Sequence, residues 1–151
     1  MKDKLFEAGL KVRKQVLSAE YVDRQFRNAD DFSMPMQMLA TKSAWGMVWA
    51  RPGLPHKIRS MLNIAFLVAL NKADELELHL AGAARNGVTK NEIREILLQS
   101  AVYCGYPAAL GGFRTAREFF AKHRGTAAKK GKTRRRKDDR RKAQRRAQGK
   151  A

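Results

Sequence analysis

The sequence predicts an all-α fold. Apolar residues recur every three to four positions in segment after segment, no run alternates with the period of two that a half-buried strand requires, and short Gly, Pro, Asn or Asp punctuation separates the segments. About six or seven helices with short connections account for residues 1–123, and residues 124–151 form a separate basic tail.

Residues 3–17 place Leu5, Leu10, Val12 and Val16 among charged residues at helical intervals, and Ala19 to Phe26 reads as a second, shorter helix. Both are expected at the periphery. After the break Asn28-Ala-Asp-Asp31, Ser33 is placed to cap a third helix, with Pro35 in the first turn, where amides have no helical partner. That helix runs towards Ala50 through MPMQMLATKSAWGMVWA, whose methionines and one-turn-spaced Trp45 and Trp49 suit a core or a subunit interface, with burial expected. Pro52 disfavours helical geometry at Arg51, Gly53 relaxes the turn, and a new helix begins near Pro55. Its order is HKIRS and then MLNIAFLVAL. Apolar almost all round, it is expected to pass through the core, with Arg59 in its first turn.

The stretch from Asn71 to Gly87, NKADELELHLAGAARNG, organises the rest. Asn71 ends the preceding segment, Asp74 is placed to cap the new helix with Glu77 as its capping-box partner, and Gly87 stands where a left-handed C-terminal cap is needed. Leu76, Leu80 and Ala83/Ala84 mark a buried stripe, and Glu75 and His79 flank it. A carboxylate and an imidazole four residues apart share a helix face and are close enough to exchange a proton, which makes them a candidate acid/base unit; the same spacing also describes a solvated surface pair. Further on, Thr89 with Glu92 reads as a capping box opening a helix through Ile93, Ile96, Leu97 and Ala101. Tyr103-Cys-Gly-Tyr-Pro107 breaks that helix, and helical patterning resumes from Ala108 to Lys122.

The net charge of +18 over 151 residues is mostly local: residues 124–151 hold fourteen Lys/Arg against two Asp, leaving +6 for residues 1–123. The tail has no large apolar residue and is expected to be disordered, either attracting nucleic acid or an acidic surface weakly and without specificity, or acting as a solubilising extension. No aromatics interleave its basic run, which argues against a base-stacking site. A single cysteine, Cys104, excludes an internal disulfide and a Cys-x-x-Cys redox or zinc motif. With no signal-peptide pattern at the N-terminus and no apolar run long enough to span a bilayer, a cytoplasmic protein is expected.

Several segments together resemble the carboxymuconolactone decarboxylase family, within the wider alkylhydroperoxidase D-like superfamily. They are FEAGLKVRKQVL near the start, AWGMVWARPGL at 44–54, KIRSMLNIAFLVALN at 57–71, ELELHLAGAARNGVTKNEI at 75–93 and YCGYPAA at 103–109, and the resemblance covers residues 6–123. It implies the alkylhydroperoxidase D-like helical fold, assembly of the chain into trimers or hexamers with sites near subunit contacts, and no metal or organic cofactor. The implied activity is decarboxylation of 4-carboxymuconolactone or a related small carboxylated lactone in aromatic catabolism (the protocatechuate/β-ketoadipate route), most like the member that gives the family its name. The electrons left by CO2 delocalise through the conjugated lactone as a dienolate, so charge placement and a proton donor suffice. On this reading His79 donates the proton, and Glu75 orients its ring and holds it protonated. Arg51 and Arg59 are candidates for gripping carboxylates or the developing oxyanion, or for structural ion pairs, and Trp45 and Met47 are candidate walls of the substrate site.

The chain departs from the family pattern at Ser43, where an aromatic is common, at Met47, where a glutamate is common, and at His56, where an arginine is common. If Met47 lines the pocket, the exchange removes a hydrogen-bonding group and leaves an apolar wall. Peroxidase members of the superfamily carry a Cys-x-x-Cys pair ahead of the histidine; here Lys72 and Glu75 fill those positions, so thiol peroxidase chemistry is disfavoured. The alternative from another class is a non-catalytic oligomeric scaffold whose tails bind nucleic acid or an acidic partner.

Overall fold

The computed structural model describes residues 3–123, and the readings of a tail over 124–151 lie outside the described residues. The chain divides into two units, Met1–Ala116 and Arg117–Ala151. Among the described residues every regular element is helical, as expected: α1 (Lys4–Leu17), α2 (Ala19–Asn28), α3 (Met34–Ala40) running into a π-helical segment (Thr41–Trp49), α4 (His56–Ala69), α5 (Ala73–Arg85), α6 (Lys90–Cys104) and α7 (residues 106–123). None of the described helices is long and apolar enough to cross a membrane. In the second unit, the His123 ring lies 4.4 Å from that of Phe119, whose carbonyl accepts a 2.8 Å hydrogen bond from His123 Nδ1–H.

Local chemistry explains most of the boundaries. Asp3 caps α1 by accepting from the Leu5 and Phe6 amides at 3.1 Å each. Thr89 and Glu92 form the expected capping box on α6, with Thr89 N–H donating to the Glu92 carboxylate at 2.7 Å and the Glu92 amide donating to Thr89 Oγ1 at 3.2 Å. Gly87, at φ 82°, supplies the left-handed turn after α5, and Asn71, at φ 55°, does the same after α4. Because Asn71 turns the chain there, α5 starts one residue before Asp74. Lys72 is the N-cap without a side-chain bond, and Asp74 and Glu75 lie inside the first turn, where carboxylates favour the positive end of the helix dipole. Ser33 likewise makes no cap bond; its hydroxyl donates to Asp30 at 2.6 Å and tightens the preceding turn instead.

Three further expectations are corrected. α1 and α2 are not peripheral: Val16 and Val22 are fully buried and join Leu17, Trp45 and Trp49 in one core cluster, with Leu10, Tyr21, Phe26 and Leu78 against it. Nor is α4 enclosed on all sides. Ser60, Ile64 and Val68 are buried, while Ile58, Leu62, Phe66 and Leu70 stand exposed on the other face. The methionines of the third helix follow the same pattern, with Met36, Met38 and Met47 exposed.

The third helix changes character midway. Thr41 Oγ1 donates to the Gln37 carbonyl and Ser43 Oγ to the Leu39 carbonyl, both at 2.7 Å, and hydroxyls bonding four residues back loosen an α ladder. The backbone continues with the wider i→i+5 bonding, as in Ala50 N–H to the Trp45 carbonyl at 2.9 Å. α1 packs directly on this segment. A Cβ at Gly9 would overlap the Thr41 carbonyl and fall 2.7 Å from Gly46 N, and one at Gly46 would overlap the Leu5 carbonyl, so the two backbones meet through paired glycines. Beside them the buried Arg13 donates to Thr41 Oγ1 and Gln37 Oε1, each at 2.8 Å, and burial lowers its pKa.

Candidate active site

α5 carries His79 on the edge of its buried stripe. Leu76, Leu80 and Ala83 fix the helix rotation by packing inward, while Ala84 is exposed; Glu75 is exposed and His79 is half-buried. Opposite the imidazole lie both tryptophans of the π segment. The Trp45 ring is parallel to it within 1°, with centroids 6.4 Å apart, and the Trp49 ring is tilted by 30° at 6.5 Å. The indoles pack on each other at 4.8 Å, and the Trp49 ring reaches to 6.0 Å from His56 on α4. The third neighbour is Asn63 of α4, whose Nδ2 lies 3.4 Å from His79 Nδ1.

The walls are pinned through polar ties between helices. Asn86, at the end of α5, donates from Nδ2 to the fully buried Ser60 Oγ at 2.9 Å and to the His56 carbonyl at 3.4 Å, fixing α5 on the first turn of α4. Arg85 Nη1 donates to the Val16 carbonyl at 3.0 Å, tying the same end of α5 to α1. Lys57 pairs with Glu92 at 2.7 Å, joining the first turns of α4 and α6.

Electrostatically, burial among indoles pushes the His79 pKa below its ordinary 6.5, and the Glu75 charge raises it by less. The anticipated Glu75–His79 hydrogen bond is absent: Glu75 faces solvent and acts on the imidazole through its field, while Asn63 makes the contact. Net lowering means that burial, rather than Glu75, decides the resting state, which is a neutral imidazole near pH 7.

Of the other sequence candidates, Trp45 is brought to His79. Met47 is 56% exposed, and Arg51 is also exposed. Arg51 offers its carbonyl to Arg59 Nη2 at 3.2 Å, and Arg59 Nε is buried without a partner. Asn63, Ser60 and Asn86 were not singled out by sequence. Asn63 and Ser60 stand on the largely apolar α4, sixteen and twenty-six residues from His79 and Asn86 on α5, so no local pattern joins them.

A helical site with a histidine facing a pair of packed indoles, built on α4, α5 and the α1-packed π segment, fits the family expected from sequence. The carboxymuconolactone decarboxylase family model matches residues 36–118, and the chain belongs to that family. It is 50% identical over 107 residues to nitrosuccinic acid decarboxylase of Metarhizium robertsii, covering 71% of this chain and 75% of that one. It is 43% identical over 115 residues to 4-carboxymuconolactone decarboxylase of Acinetobacter baylyi, covering 76% and 86% respectively. Both relatives are decarboxylases of small acids by name.

Proposed function

We propose that this chain is a cofactor-independent carboxy-lyase for a small polyanionic acid, with 4-carboxymuconolactone or a related carboxylated lactone as substrate. The observation that carries the reading is His79, half-buried against the packed indoles of Trp45 and Trp49 with its Nδ1 against Asn63. In the reaction the bond to the departing carboxylate breaks, CO2 leaves, and the electron pair enters the conjugated lactone as a dienolate. The His79 imidazolium then gives its proton to the dienolate carbon and is reprotonated from solvent. Burial disfavours the imidazolium in the empty site, but a bound dianion restores it by attraction, and Glu75 adds to the same effect. The proton is thus loaded when substrate is present. Arg59, with its free Nε, and Arg51 are proposed to hold the substrate's carboxylates.

A second substrate is favoured by the 50% identity to a nitrosuccinic acid decarboxylase. Nitrosuccinate has the same logic: a carboxylate on the carbon bearing the nitro group departs, and the pair enters the nitro group as a nitronate awaiting a proton. Exposed apolar residues of α4 and α6, among them Ile58, Leu62 and Tyr103, border an open groove of about 330 Å³ between the two helices, and with the exposed Phe66 and Val102 they support assembly of copies into a trimer or hexamer.

The test gives purified protein each acid separately and follows CO2 release with product identification, for wild type and His79→Gln. Turnover of the lactone to the enol-lactone, lost by ~100-fold or more in the variant at unchanged oligomer size, is expected. Turnover of nitrosuccinate alone would shift the substrate to the second candidate. Failure on both would sink the decarboxylase reading.

A further inference from the structure

We propose that Asn63 is the positioning residue for His79, holding Nδ1 so that Nε2 carries the transferable proton towards the substrate in both charge states of the ring. The inference rests on His79 being the proton donor.

Two facts about the site lead there. Asn63 Nδ2 is 3.4 Å from His79 Nδ1, and the carboxylate that shares a helix with the imidazole, Glu75, makes no hydrogen bond to it. On one side the ring faces the packed indoles of Trp45 and Trp49, which limit tilt without choosing which nitrogen bears the proton. Asn63 makes that choice. While the imidazole is neutral, the amide N–H donates to Nδ1, and the ring proton must sit on Nε2. When the ring is protonated, Nδ1 also carries hydrogen and needs an acceptor, which the same side chain offers by turning its amide so that Oδ1 faces the ring. An aspartate would accept only, favouring Nδ1–H and drawing the neutral proton away from the substrate side. A leucine would do neither.

The amide suits this position for an electrostatic reason as well. The charged group acting on His79 is Glu75, at the exposed edge of α5; α4 contributes the neutral Asn63, with His56 beyond Trp49, and the π segment contributes indoles. Fixing the ring with a neutral group leaves room for the substrate's own negative charge to decide when His79 takes up its proton. A buried carboxylate there would favour the protonated ring before substrate arrives and repel an anionic substrate.

The experiment uses the full chain with 15N-labelled histidine. His79 signals are identified among the three histidines by their loss in His79→Gln, and the tautomer and titration midpoint are read by NMR in wild type, Asn63→Asp and Asn63→Leu. Wild type is expected to hold its neutral proton on Nε2. Asn63→Asp should move it to Nδ1 and raise the midpoint by about one unit or more, and Asn63→Leu should give a mixture. With the substrate that wild type turns over, Asn63→Leu should lower kcat about tenfold or more while KM stays within about threefold. An Asn63→Asp ring with unchanged tautomer and midpoint, or an Asn63→Leu enzyme with wild-type kcat, would overturn the proposal. Retained turnover in His79→Gln beside a flipped tautomer in Asn63→Asp would overturn His79's catalytic role and leave the Asn63 contact standing.

Discussion

Gly9→Ala puts the crossing between α1 and the π segment to a direct test. The added methyl would overlap the Thr41 carbonyl and lie 2.7 Å from Gly46 N and 3.0 Å from Gly46 Cα. All three are backbone atoms, so no rotamer change relieves the clash and the two elements must separate. Overpacking against movable side chains costs about 1–3 kcal/mol, and against fixed backbone we take about 4 kcal/mol. Alanine in a helix recovers about 1 kcal/mol relative to glycine, leaving a net loss of about 3 kcal/mol. For a domain of this size that is a fall in Tm of roughly 10 °C. Thermal unfolding followed by far-UV circular dichroism measures it, with Gly53→Ala as control, because a Cβ at Gly53 meets nothing within 4 Å. Since the displaced segment carries Trp45 and Trp49, near-UV dichroism of the folded variant should change too. A Gly9→Ala protein as stable as wild type would refute the close crossing and the account of how the indoles are held.

Other outcomes follow from the same geometry. Burial sets the folded pKa of His79 below 6.5, so between the two values the unfolded chain binds more protons; stability is complete above pH 6.5 and is lost as pH falls through that window. Denaturant titrations of His79→Gln should lack that loss, and an unchanged pH dependence would contradict the burial of the ring. Arg13→Ala removes two 2.8 Å hydrogen bonds and a buried stem, and should cost about 3 kcal/mol by denaturant unfolding, with Arg13→Lys recovering only part because an ammonium cannot span both acceptors in the same fork. Leu62→Glu combined with Val102→Glu should reduce the mass measured by light scattering to that of one chain; an unchanged mass would place the proposed interface elsewhere.

What the sequence made legible was local. The Thr89/Glu92 box, the Gly87 cap and the Pro55 restart depend on residues within one turn of each other, and each stands where pattern and chemistry place it. His79 and Trp45 were also visible, but their meeting joins two separate segments of the chain. The features that escaped are non-local or collective. The π segment arises from hydroxyl back-bonding and a glycine crossing with α1, and Arg13 is buried by partners twenty-four and twenty-eight residues away. The outer face of α4 misled for a different reason: an apolar surface reads as core whether its own chain covers it or not.

The two indoles at His79 are the only tryptophans in the chain. Excited at the red edge of protein absorption, the molecule therefore emits from this one place, with no background from elsewhere in the fold. An imidazolium quenches a neighbouring indole more strongly than a neutral imidazole does, so the emission of unlabelled His56→Gln protein, which lacks the other histidine beside Trp49, reports the charge on His79. The proton uptake proposed to accompany substrate binding can then be timed in a stopped-flow instrument, ahead of the proposed release of carbon dioxide.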